Sequence, residues 1–173
     1  MKRLGTCRLV LLASAGAVAC GTADASPAQM LNKTVTVSAT IVVPARGSDG
    51  SSQANPRAVT RTIYISSQGR AFMRVNRSVG KRSEMAEKGP GETNMRISGN
   101  SLVGVMTLPS GAMQLTVNFD PSFSSCTAQL IMGAERGKPI VYKGLNGLTY
   151  TQTGPAQVSG VTCSVAAGNA FAS

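Results

Sequence analysis

The side chains able to do chemistry in this chain are few, and the first fact about them is a gap. Its 173 residues include no histidine. Ser–His and Cys–His nucleophile pairs are therefore excluded. No G-x-S-x-G is present, and a Ser–Lys pair is assembled in space rather than announced by spacing. Beyond Asp24 the acids are Asp49, Glu84, Glu87, Glu92, Asp120 and Glu135. A glycosidase needs two carboxylates held at a fixed separation on rigid elements. Asp120 and Glu135 are the best-placed pair, yet they flank one strand and belong at opposite ends of a fold. Asp120 before Pro121 reads better as a turn cap. Asp49-Gly50 lacks the further acids of a calcium loop. The expectation is a chain with no enzymatic activity, no cofactor and no metal.

The cysteines take their meaning from the N-terminus. MKRLGTCR carries three positive charges, and an uncharged run follows from Leu9 to Ala19. Small residues then lead to Ala23-Asp24-Ala25, an A-x-A pattern. This is the layout of a secretory signal peptide over residues 1–25. The apolar run is too short for a membrane span, which needs about 20 residues, and no later run is long enough. Two processing sites compete. Cleavage after Ala25 starts the mature chain at Ser26. Alternatively, Gly16-Ala17-Val18-Ala19-Cys20 resembles a relaxed lipobox, in which a diacylated Cys20 becomes the N-terminus of an outer-membrane lipoprotein. Either way the mature chain reads as periplasmic, secreted or lipid-anchored. Cys126 and Cys163 remain, an even pair in an oxidising compartment, and they read as one disulfide. Each falls in phase with the apolar residues of a strand-like run, SSCTAQLIM and GVTCSVAA. Two cysteines without histidine do not make a zinc site.

Charge carries the remaining functional content. The whole chain has a net charge of +10. Between Arg57 and Arg82 stand seven basic residues and no acid. Arg61, Arg70, Arg74 and Arg77, with Tyr64 and Phe72, form a candidate anion-binding stripe. Guanidinium groups pair with carboxylates and phosphates, and a basic stripe concentrates anionic partners. In a bacterial envelope these are acidic glycans and anionic lipid headgroups, and a leader makes nucleic acid a less natural partner. The same residues also suit a solvated sheet face, with arginine stems covering the two rings. A third reading is a lipocalin-like barrel carrying a small apolar ligand.

These residues must be positioned by strands. Thr, Val, Ser and Gly dominate, which favours sheet over helix. Thr34 to Ile41 alternates polar and apolar strictly, so one face is buried. Arg61–Ser66 and Arg70–Val75 flank Ser67-Gln68-Gly69, a three-residue hairpin turn with glycine in the left-handed position. That register sets Ile65 opposite Ala71, Ile63 opposite Met73 and Tyr64 opposite Phe72. Further turns fall at Gly99-Asn100, Pro109-Ser110-Gly111 and Asp120-Pro121-Ser122, then at Gly137, Asn146-Gly147 and Gly154-Pro155. The run Leu102 to Met106 is apolar on both faces, as in a central strand. Residues 44–56 and 78–93 are polar, rich in Gly and Ser, and read as mobile. The sum is a single all-β domain over residues 26–173. It is an antiparallel meander of about nine or ten strands, closing into a barrel or barrel-like sandwich to cover its edges.

The runs LNKTVTVS, RTIYISSQGRAFMRV, FDPSFSSCTA and CSVAAGNAFA resemble a group of small secreted proteins from alphaproteobacteria of the rhizobial type. The resemblance spans the mature chain and implies a bacterial exported protein. It carries no activity and no site residue. It also implies that the Asn-x-Ser/Thr sites at Asn32 and Asn76 stay unglycosylated.

Overall fold

Fifteen residues of alternating pattern make the first strand, and the other elements assemble around it. In this computed structural model the described residues are 27–79, 82–85, 90–108, 111–132, 141–143 and 146–172. Residues 1–26, Cys20 among them, lie outside them. A single 3-10 turn, Ala28–Met30, precedes β1 (Lys33–Gly47), β2 (Ser52–Ile65) and β3 (Ala71–Val79). Short strands β4 (Arg82–Met85), β5 (Gly91–Glu92) and β6 (Arg96–Ser98) follow. Then come β7 (Ser101–Leu108), β8 (Gly111–Phe119), β9 (Cys126–Met132), β10 (Val141–Lys143), β11 (Thr149–Gln152) and β12 (Gln157–Ala167).

Two antiparallel sheets result. The larger runs β10-β11-β1-β2-β3-β4, with β12 also paired to β1 and β5 to β3; the smaller runs β6-β7-β8-β9. The all-β, barrel-like sandwich expected from the sequence is what forms. Its strand order is not sequential throughout. β11 and β12 return to the free edge of β1, where Gln152 meets Ala45 and Cys163 meets Val37. Alternation explains the attraction, because both edges of a half-buried strand need partners for their N–H and C=O groups.

The expected hairpin register holds at Ile65–Ala71, Tyr64–Phe72 and Ile63–Met73. Gly69 sits at φ 74° and donates its N–H to Ser66 O at 3.0 Å, closing the turn. Two expectations need correction. Residues 44–56 are largely strand rather than mobile loop, with Pro44 opposite Ala54 and Ala45 opposite Gln53. Pro44 lacks an N–H, but its carbonyl accepts from Thr153 N at 3.0 Å, so a proline is tolerated there. Within residues 78–93, β4 and β5 are ordered edge strands on β3, while 80–81 and 86–89 lie outside the described residues. The run Leu102 to Met106 is a central strand whose inner face alone is covered. Leu102 is buried and Val105 is 50% exposed.

Between the sheets Val35, Val37, Ile63, Ile65, Leu102, Leu115 and Val117 are fully buried. Each such side chain contributes about 1.5–3 kcal/mol. The chain changes sheet at residues 93–96. Thr93 N donates to Ala71 O at 2.9 Å in the large sheet, while Arg96 pairs with Val103 in the small one. Met95 crosses over Gly104, where a Cβ would lie 2.5 Å from Met95 Cγ. Only glycine lets the crossing chain sit so close.

The opposite seam has no ladder. β9 and β12 lie side by side without backbone pairing, and the Cys126–Cys163 disulfide joins them with Cα atoms 5.5 Å apart. Because it closes a loop of 37 residues, its removal is expected to cost about 3–4 kcal/mol on the chain-entropy relation. Cys126→Ser with Cys163→Ser should lower the urea midpoint accordingly without abolishing strand content by circular dichroism. An unchanged midpoint would show that the seam holds without the bond.

Candidate functional site

The β2–β3 hairpin carries the arginines, and the period of two along a strand sorts them onto different faces. Residues in phase with Ile63, Ile65, Ala71 and Met73 point between the sheets. Arg61, in register with Val37 and Val75, is one of them. Arg77, opposite Val59, has the same phase but lies far from the hairpin turn and is exposed. Tyr64, Phe72 and Arg74 have the other phase, and Arg70 stands in the turn. The proposed stripe is thus two groups: Tyr64, Arg70, Phe72 and Arg74 outside, Arg61 and Arg77 on the inner face.

On the outer face two guanidinium groups lie over aromatic rings. Arg70 Cζ is 5.4 Å from the Phe72 ring centroid, and Arg74 Cζ is 4.9 Å from that of Phe171. Such contacts contribute about 0.5–1 kcal/mol at exposed sites. Phe171 was not visible as a site residue in the sequence, since it is a lone aromatic in a small-residue tail. Its placement follows from a set of hydrogen bonds. Thr34 Oγ1 donates to Gly168 O at 2.7 Å and accepts from Ala170 N at 3.1 Å. Gly168 N donates to Asn32 O at 2.7 Å, and Tyr64 OH donates to Asn32 Oδ1 at 3.0 Å. The tail is therefore fastened across the hairpin beside Arg74.

The two outer arginines differ in availability. Arg70 is held by both carboxylate oxygens of Glu92, with Nε donating to Oε1 at 2.7 Å. That pairing pushes the Glu92 carboxyl below its ordinary range and the Arg70 guanidinium above its own. Among the described residues no carboxylate pairs with Arg74.

From Arg74 hydroxyls run back across the large sheet. Thr62, Thr36 and Ser164 stand in one register row with it; Asn76, Thr60, Ser38 and Thr162 form the next. Ser38 and Thr60 share a hydrogen bond at 3.0 Å. Neighbouring rows and strands give a grid of about 4.8 Å by about 6.8 Å.

Arg61 is the exception to ordinary packing. It is 3% exposed. Its Nη2 donates to Met113 Sδ at 2.7 Å, a weak acceptor. Nε and Nη1 are buried without a hydrogen-bond partner among the described residues. Burial, with the nearby charge of Arg77, lowers its pKa to about 10, so it remains a cation at neutral pH. A buried unsatisfied donor costs about 1–3 kcal/mol, and a charged one more.

The acids do not converge. Asp120 Oδ1 accepts from Ser124 N at 2.8 Å and Ser125 N at 2.9 Å, and Oδ2 accepts from Ser122 Oγ. The Ser122 hydroxyl first, and the backbone N–H groups with it, hold the Asp120 carboxyl far below the ordinary carboxylate range, the reverse of what a general acid needs. Glu135 and Glu87 lie outside the described residues. A Ser-x-x-Lys spacing does occur at Ser78 and Lys81; Ser78 ends the β3 pairing opposite Ala58, and Lys81 is outside the described residues. No group of three metal-ligating side chains occurs among the described residues, and no helix there is long and apolar enough to cross a membrane.

Known proteins supply no shortcut. The chain matches no family model, no curated protein and no solved structure. Function therefore rests on the residues themselves.

Asp120 gives a pH test of the turn. A depressed carboxyl pKa stabilises the fold above the unfolded value, and that contribution is lost as pH falls. With an ordinary value of 3.8, the loss begins near that pH. Asp120→Asn should have the lower urea midpoint at pH 7, and the gap between the two proteins should narrow steadily as pH falls below about 4. Parallel midpoints across that range would refute the role given to the charge.

Proposed function

We propose that this is an exported, non-enzymatic binding protein of the bacterial cell envelope, and that its outer hairpin face holds an acidic glycan. The observation carrying this reading is the outer face of β12, β1, β2 and β3, in which one register row of hydroxyls ends at Arg74 and the next at Asn76, with Tyr64 and Phe72 in the row on the other side of Arg74 and the Phe171 ring against its guanidinium. Hydroxyls on a flat grid suit the hydroxyls of a sugar chain. Aromatic faces offer flat apolar area to a pyranose ring. Arg74, pre-oriented by its ring, supplies a planar donor set for a uronate carboxylate. Lipid headgroups share the charge but have no use for an extended hydroxyl grid. The leader-like segment at residues 1–25 and the Cys126–Cys163 bond support the envelope location, with lipidation at Cys20 the alternative route to it.

Binding to polygalacturonate, followed by affinity electrophoresis, tests the site. Arg74→Ala should weaken retention about five- to tenfold, the size of one charge-assisted hydrogen bond partly screened by water. Arg96→Ala removes the same charge elsewhere and should have little effect. Glu92→Gln should tighten binding by releasing Arg70, and more than Asp49→Asn does. Equal effects within each pair would reduce the interaction to net charge and end the proposal. Stronger retention on phosphatidylglycerol vesicles than on polyuronate would transfer the face to headgroups.

A further inference from the structure

A guanidinium sealed between two sheets with most of its donors unused is the least explained group in the molecule. Buried polar groups in folded proteins are nearly always hydrogen-bonded, and buried charges are paired. Among the described residues Arg61 has no charged partner, and its one hydrogen bond goes to Met113 Sδ, a weak acceptor. We infer that Arg61 is the anchor of an internal oxyanion site, taking a carboxylate or phosphate group between the two sheets.

Three features fit the inference. Further cations share the inward phase of β2 and β3 with Arg61. Arg57 is half-buried, Arg77 is exposed opposite Val59, and Arg61 lies further along β2 opposite Val75. These neighbouring cations raise the positive potential around Arg61 and attract an anion towards it. The facing sheet presents a row of three methionines, Met106, Met113 and Met132, in register. Methionine is unbranched and adaptable, so Met113 can give up its contact to a better acceptor. The apolar surroundings also strengthen any pairing that forms, because water is excluded. This site is independent of the outer glycan face, since the two share no residue.

The oxyanion can be a free ion or the head of an amphiphile, and the test separates these. Thermal unfolding of the full exported protein is followed at constant ionic strength with acetate, phosphate or submicellar dodecanoate against chloride. The wild type should gain about 3 °C or more with a bound oxyanion. A gain with phosphate and acetate marks a small-ion site; a gain with dodecanoate alone marks an amphiphile. Arg61→Met fills a similar volume without the charge. It should be at least as stable as the wild type in chloride and should lose the gain entirely. Arg74→Ala should keep it. An equal gain in Arg61→Met would mean an adventitious ion only, and overturns the site. Glu84 stands in register with Arg77 and is the rival counter-ion. If Arg61→Met and Glu84→Gln are both destabilised in chloride by similar amounts, the cation is paired within the chain and the inference fails.

Discussion

A strand with ladders on both edges has no backbone polar group to spare, and β1 is such a strand over most of its length. β2 follows it from Lys33 to Arg46, while β12 and then β11 occupy its other edge. Its alternating pattern places Val35, Val37, Ala39 and Ile41 inward. A slip of one residue would expose all four, so the register is fixed by burial. Every candidate site residue on the large sheet inherits that register: the hydroxyl rows, the outward Arg74 and the inward Arg61. The price is two chain ends that must be secured late in the sequence. β12 pairs with β1 from over a hundred residues away, and the disulfide then fixes β12 to β9 where no ladder exists.

Much of this was legible in the residues. Strict alternation in 34–41, glycine at position 69 and the phase of the two cysteines each act locally, through strand period and turn geometry, and each came out as read. The return of β11 and β12 to β1 was not legible. Both are short or small-residue strands, and nothing in Gln157–Ala167 names its partner; that choice is made by the free edge left on β1. The strand character of residues 44–56 was hidden for a different reason. Pro, Gly and Ser lower local strand propensity, but the β1–β2 ladder, continuous from Lys33–Ile65 to Arg46–Ser52, carries these residues along in strand conformation.

The candidate site was legible as composition and misread as geometry. Arg61 is in phase with Ile63 and Ile65, which the fold buries, yet its charge grouped it with the outer stripe. Arginine is almost never fully buried without a partner, so the general expectation overrode the period of two. Phe171 was missed for the opposite reason. Only the hydrogen bonds from Asn32 and Thr34 bring the tail over β3, and these depend on backbone atoms that no side-chain pattern announces.

The two faces of the hairpin then impose different constraints on the same fold. Outside, Arg70 is exposed and ion-paired, while Arg74 lies half-buried over the Phe171 ring with its Nε covered and without a partner among the described residues. Inside, Arg61 opposes folding, since an apolar residue of its volume would satisfy the space between Val37, Val75 and Met113 without an orphaned donor. A small domain stable by only some 5–15 kcal/mol has little tolerance for such a group. Where local consistency fails in an otherwise consistent structure, binding is the usual compensating interaction. The Cys126–Cys163 bond supplies stability at the seam without filling the interior. A cation with no charged partner among the described residues, buried in a disulfide-closed sandwich, is hard to explain by packing alone, and an anion taken up between the sheets would account for it.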